Sequence, residues 1–177
     1  MTVQINYKKS GPIKAFSNLI LFVDEKFNIN NLKKYTSDIE YSYVSDLLKT
    51  SDLKKDLLIF KINSKKTIFL VSIKKDIKIS DIENLGAKFH SYINYEQKKD
   101  FFINSDTVHS KIKNFVGYFL HGLKLKSYEF NIYKSKKNKK QIFINVVGNK
   151  NEISTQDHLR FKALEEGSFF ARDLVSE

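Results

Sequence analysis

The chain has 177 residues, a formal net charge of +11 and no cysteine. That length fits one domain with a self-supporting core, and 41% hydrophobic residues exclude a disordered chain. Without cysteine there are no disulfides, thiolate zinc sites or cysteine nucleophiles.

The residues from Met1 to Lys9 alternate and contain no apolar run of the secretory-signal kind. No apolar stretch approaches the ~18 residues that span a bilayer, so a cytoplasmic protein without a membrane partner is expected. Strand-like runs follow at Val3–Tyr7 and Asn18–Val23, with Gly11-Pro12 as a turn between them. Ser37–Lys49 predicts a helix opened by a capping box, Ser37 with Glu40, and presenting Tyr43, Val44, Leu47 and Leu48 on one face. Asp56–Ile62 and Thr67–Ile73 predict a hairpin around Asn63-Ser64-Lys65-Lys66, which requires an antiparallel pair.

Ser80–Tyr95 predicts a second helix, capped by Ser80 with Glu83, whose face is Ile82, Leu85, Gly86, Phe89 and Ile93. A short strand is expected at Asp100–Ile103. Val108–His121 predicts a third helix, with Val108, Ile112, Phe115, Val116, Phe119 and Leu120 inward and Gly122 as its cap. Gln141–Val147 predicts a strand ended by Gly148. The last helix starts near Ser154 and sets Ala163, Gly167, Phe170, Ala171 and Leu174 on one side. The alternation predicts an α/β three-layer sandwich with a mixed central sheet flanked by helices. The chain stops inside its last helix without a polar tail, which predicts a segment of a longer protein.

No catalytic, cofactor-binding or metal-binding constellation emerges from the residues. His90, His109, His121 and His158 share no short metal spacing, and His90 and His121 fall in the polar portions of their helices. Glu165 and Glu166 are adjacent, so they point about 100° apart on a helix and cannot act on one group. Glycine occurs at Ser10-Gly11 and from Gly117 to Gly122, but no phosphate-loop or nucleophile-elbow pattern is present. The aromatics Phe60, Phe69, Phe89, Phe115, Phe119 and Phe170 are expected in the core rather than as base-stacking platforms. The run Lys134–Lys140 reads as a solvated loop. The positive charge comes from lysine, with Arg160 and Arg172 the only arginines, and base or bidentate phosphate recognition prefers arginine.

Two stretches resemble the leucyl (cytosol) aminopeptidases. Gly122, Leu123, Leu125, Tyr128, Phe130, Tyr133 and Lys134 match a pattern that closes a helix in the N-terminal domain of that family. Ala171, Arg172, Asp173, Leu174 and Val175 match the end of a later helix that leads to the catalytic domain, with Ser176 where asparagine is commoner. The resemblance implies a macro-domain-like N-terminal domain over residues 1–177, with 153–177 leading toward an absent C-terminal catalytic domain. It implies a parent metallo-aminopeptidase that uses two zinc or manganese ions and assembles as a homohexamer. The family's metal and catalytic motifs do not occur here, so no site residue carries over, and Arg172 and Asp173 match a junction helix. The role implied is domain packing and oligomer organisation. The alternatives are a basic nucleic-acid-binding module and a macro-like small-ligand-binding domain.

Overall fold

The computed structural model describes residues 2–8, 17–93, 100–128, 141–149 and 155–176. Six strands form one mixed sheet in the order β1-β6-β5-β2-β4-β3. They are β1 (Thr2–Lys8), β2 (Asn18–Asp24), β3 (Leu57–Lys61), β4 (Thr67–Ile73), β5 (Asp100–Asn104) and β6 (Gln141–Val147). Every neighbouring pair is parallel except β3 with β4. The helices are α1 (Asp38–Leu48), α2 (Ile79–Ile93), α3 (Phe115–Lys126) and α4 (Thr155–Ser176). A 3-10 helix spans Asn30–Tyr35, and a shorter one spans Ser105–Thr107.

The central strands are apolar on both faces because helices cover both. In β2, Ile20 and Phe22 join the core under α2 and α3, whereas Leu19, Leu21 and Val23 join the core under α1 and the first 3-10 helix. The three-layer sandwich is therefore the observed architecture. The hairpin forms as expected: Ile62 N donates to Lys66 O at 3.0 Å, and Asn63 Oδ1 accepts from the Lys65 and Lys66 amides.

The α1 capping box is present, with Glu40 N on Ser37 Oγ at 3.3 Å and Ser37 N on Glu40 Oε2 at 3.0 Å. Lys66 reaches back from the hairpin to Glu40 at 2.7 Å. Burial pushes the Glu40 carboxyl up, but the bonds from Lys66 and Ser37 outweigh it and hold the group below its ordinary value. Lys88 and then Lys74 hold Asp56 down against its partial burial. Both depressed carboxyls stabilise the fold above the unfolded-state value, and that contribution disappears as pH falls through the folded one. We expect wild type to lose stability faster than a Glu40→Gln/Asp56→Asn variant between about pH 5 and pH 3. Urea midpoints across that range test this, and parallel pH profiles would contradict it.

Several expectations need correction. In α1, Tyr43 points out and Tyr41 packs inward, because Tyr41, Val44 and Leu48 share the buried stripe. The second helix begins at Ile79, with Asp81 Oδ2 accepting from Lys78 N at 3.0 Å, so Ser80 lies inside the helix. The third begins seven residues later than its periodicity predicts. Val108 and Ile112 do pack on the core, but Ser110 Oγ draws the Ile112 amide into a local turn. Asn114 then takes a left-handed φ of 58° ahead of α3. Gly122 lies inside α3 rather than at its cap, and Ser127 ends the helix by donating to Leu123 O and Lys124 O. His90 and His121 are both buried, not on polar faces. Gly11-Pro12, Tyr95, Ser154 and the Lys134–Lys140 run lie outside the described residues, as do Phe130, Tyr133 and Lys134 of the first resemblance stretch.

Candidate functional site

The helix α4 lies parallel to α3, and its contacts climb both helices in step. Asn114, just ahead of α3, donates to the Asp157 carboxylate. Next, the Tyr118 and His121 rings meet the Phe161 ring at 5.3 and 5.1 Å. The Glu165 carboxylate then accepts from Lys124 Nζ at 3.0 Å and meets His121 Nδ1 at 3.2 Å. At the far end Arg172 donates to the Leu125 carbonyl at 2.8 Å, and Tyr128 Oη donates to Asp173 at 2.5 Å. The Tyr128 ring also touches Phe169 and the Arg172 guanidinium, at 5.3 and 5.4 Å.

This seat is polar for a helix interface. Phe161 and Glu165 are its buried members on α4. A carboxylate taken from water is costly unless paired, and here Lys124 and His121 supply the partners. On β1, burial and then the Glu165 charge push the Tyr7 phenol up to about 12. Removing one charged hydrogen-bond set costs about 2 kcal/mol, or roughly thirty-fold in a local opening equilibrium. Glu165→Ala should therefore speed amide exchange across α4 about thirty-fold and leave β2 and β4 unchanged. A uniform acceleration over the whole chain would instead make α4 part of the global unfolding unit.

The apolar periodicity puts Ala163, Gly167, Phe170, Ala171 and Leu174 inward, and the structure turns that face outward. Phe170 is 65% exposed and Leu174 58%, and nothing lies within 4 Å of a Cβ built on Gly167. The cause is the partner surface. The α3 side chains facing α4 are Tyr118, His121 and Lys124, which select Phe161 and Glu165 on the opposite side of the helix.

The remaining candidates stay apart. His158, Arg160 and Glu166 are exposed on α4, and His90 is buried in α2. His109 is exposed and borders two clefts, one of about 490 Å³ between the first 3-10 helix and Asp106-Thr107 just after β5, and one of about 350 Å³ at the C-terminal ends of β2 and β4. Chain direction diverges between β2 and β5, beside the larger cleft, since β2 continues to the β3–β4 side and β5 to the β6 side. Among the described residues no three His, Asp or Glu side chains are placed to hold a metal ion. No described helix is long and apolar enough to cross a membrane.

No protein-family model matches the chain, and no curated protein matches it. Solved structures do. A mutant tomato leucine aminopeptidase shares 15% identity and superposes at a TM-score of 0.63 over 94% of this chain and 36% of that one. Cytosol aminopeptidase from Coxiella burnetii gives 13% identity and a TM-score of 0.59 over 98% of this chain and 33% of that one. The macrodomain of Thermus aquaticus DarG gives 10% identity and a TM-score of 0.54 over 83% of this chain and 99% of that one. The fold is that of a macrodomain and of the N-terminal region of cytosol aminopeptidases. The chain spans about a third of the length of the aminopeptidases it matches. The two stretches that resemble that family meet here, Leu125 and Tyr128 of the first contacting Arg172 and Asp173 of the second.

Proposed function

We propose that this chain is the N-terminal, non-catalytic domain of a leucyl-aminopeptidase-like enzyme, serving domain packing and oligomer organisation. One observation carries the reading: nearly all of the chain superposes on about a third of two aminopeptidases. The contact of Tyr128 with Arg172 and Asp173 supports it, because it gives both resembling stretches one structural task, seating α4 on α3. The two zinc or manganese ions and the oxyanion-stabilising cations belong, on this reading, to a separate catalytic domain. The parent enzyme would release N-terminal residues from peptides in the cytoplasm.

The test is the isolated chain with Leu-p-nitroanilide and added zinc or manganese. The expected result is no release of leucine. Metal-dependent release by residues 1–177 alone would defeat the reading.

The larger cleft beside His109 favours a second reading, a small-ligand domain, since open α/β sheets bind ligands outside strand C-terminal ends where chain direction diverges. The chain has only 6 glycines and no glycine-rich phosphate loop. An unchanged melting temperature with ADP-ribose would dispose of that reading.

A further inference from the structure

We infer that the larger cleft beside His109 binds a small zwitterion, a molecule of amino-acid or dipeptide size with an ammonium at one end and a carboxylate at the other. The inference deepens the small-ligand reading of that cleft, rests on it, and does not depend on the aminopeptidase reading. The cleft, of about 490 Å³, lies between Asp106-Thr107 on one side and the 3-10 helix Asn30–Tyr35 on the other. That size is ordinary for a small-molecule site. It opens beside the point where β2 and β5 lead the chain to opposite sides of the sheet.

Charge of both signs lines this cleft, and each charge is steadied by an uncharged neighbour. Lys34 Nζ lies 4.7 Å over the Tyr35 ring, and Lys33 Nζ lies 5.0 Å over the Tyr41 ring. Tyr41 is itself tied to the 3-10 helix, its hydroxyl donating to Asn30 Oδ1 at 3.3 Å. On the other wall Asp106 Oδ1 accepts from Asn149 N at 2.8 Å, and its second oxygen has no hydrogen bond among the described residues. Tyr35 first, through its hydrogen bond, and Asp106 more weakly push the Lys34 ammonium up, so the two walls feel each other's charge. Yet no ion pair among the described residues takes in Lys33, Lys34 or Asp106. Long surface side chains lose conformational freedom when a ligand fixes them. Here the aromatic rings and the Asn149 amide order them beforehand, which lets a small molecule with few contacts bind.

The charge pattern selects the ligand class. A phosphate would meet Asp106 as well as the lysines, and the chain has no glycine-rich loop to receive it. A simple cation would meet two lysines. A zwitterion suits both walls: its ammonium donates to the free oxygen of Asp106, and its carboxylate accepts from Lys34 and Lys33. The buried Leu32 and Tyr35 add apolar lining.

Backbone amide chemical shifts of the full chain test this. Diglycine is expected to move the amides of Lys33, Lys34, Asp106 and His109 and to saturate below about 50 mM, as a millimolar site does. Acetylglycine lacks the ammonium and glycinamide lacks the carboxylate, so each should bind about ten-fold more weakly or worse. Asp106→Asn keeps the acceptor for Asn149, and Lys34→Met keeps an unbranched chain over Tyr35. Each should weaken diglycine by a similar factor with an unchanged circular dichroism spectrum. Equal binding of acetylglycine, or undiminished binding of diglycine to Asp106→Asn, would overturn the zwitterion. Shifts with ADP-ribose and none with diglycine would overturn it and leave the small-ligand reading standing. Silence with both would overturn the two together. The aminopeptidase-domain reading is judged separately, by leucine release.

Discussion

Replacing Gly122 by alanine is expected to cost about 3 kcal/mol, the top of the overpacking range, because the obstacle is backbone. A Cβ at Gly122 would stand 1.9 Å from the Glu83 carbonyl oxygen, and one at Gly86 would stand 1.8 Å from that of Phe119. Neither carbonyl can turn aside without breaking its helix, so α2 and α3 must separate along their whole crossing. For a domain of this size the midpoint of thermal unfolding should fall by roughly 6–12 °C. The same substitution at Gly167 should have the opposite sign. That helical position faces open space, and alanine there gains about 0.5–1 kcal/mol over glycine. Urea and thermal unfolding of the three variants check this, and equal effects at Gly122 and Gly167 would contradict the packing of α2 on α3.

Phe89→Ala should cost about 3–5 kcal/mol. Phe89 is fully buried and its ring meets Phe69 at 5.5 Å, Phe119 at 5.7 Å and Phe101 at 6.0 Å. It joins two strands to α3, and no flexible neighbour can fill the space it would leave. Phe170→Ala, at a position 65% exposed, should change monomer stability by less than about 0.5 kcal/mol. Denaturant unfolding in dilute solution tests the pair. A large loss for Phe170→Ala would mean that α4 packs by its other face.

These two pairs also show how far the fold is legible in the sequence. The strands and the α1 cap follow from short-range pattern, and the structure has them within a residue or two. Phe89 is predictable because its helix has one apolar stripe and one sheet to cover. Phe170 is not, because α4 has an apolar stripe and a mixed one, and the choice depends on what α3 presents. Tyr118, His121 and Lys124 make the mixed stripe the better fit, and no local period encodes that. Gly122 illustrates the same limit. A glycine late in a helix resembles a cap until a second helix is found across it. Glu165 was hidden for a related reason: its partners are 41 and 44 residues away. The spacing Phe161, Glu165, Phe169, Asp173 was the available signal, a second stripe at i+4 beside the apolar one.

On the proposed reading, this chain is the non-catalytic part of a larger hydrolase. The most direct measurement is the sequence of the transcript beyond the codon for Glu177. The account predicts an open frame that continues into a second domain carrying lysine, aspartate and glutamate metal-site motifs of the leucyl aminopeptidase kind. A stop codon immediately after Glu177 would contradict it.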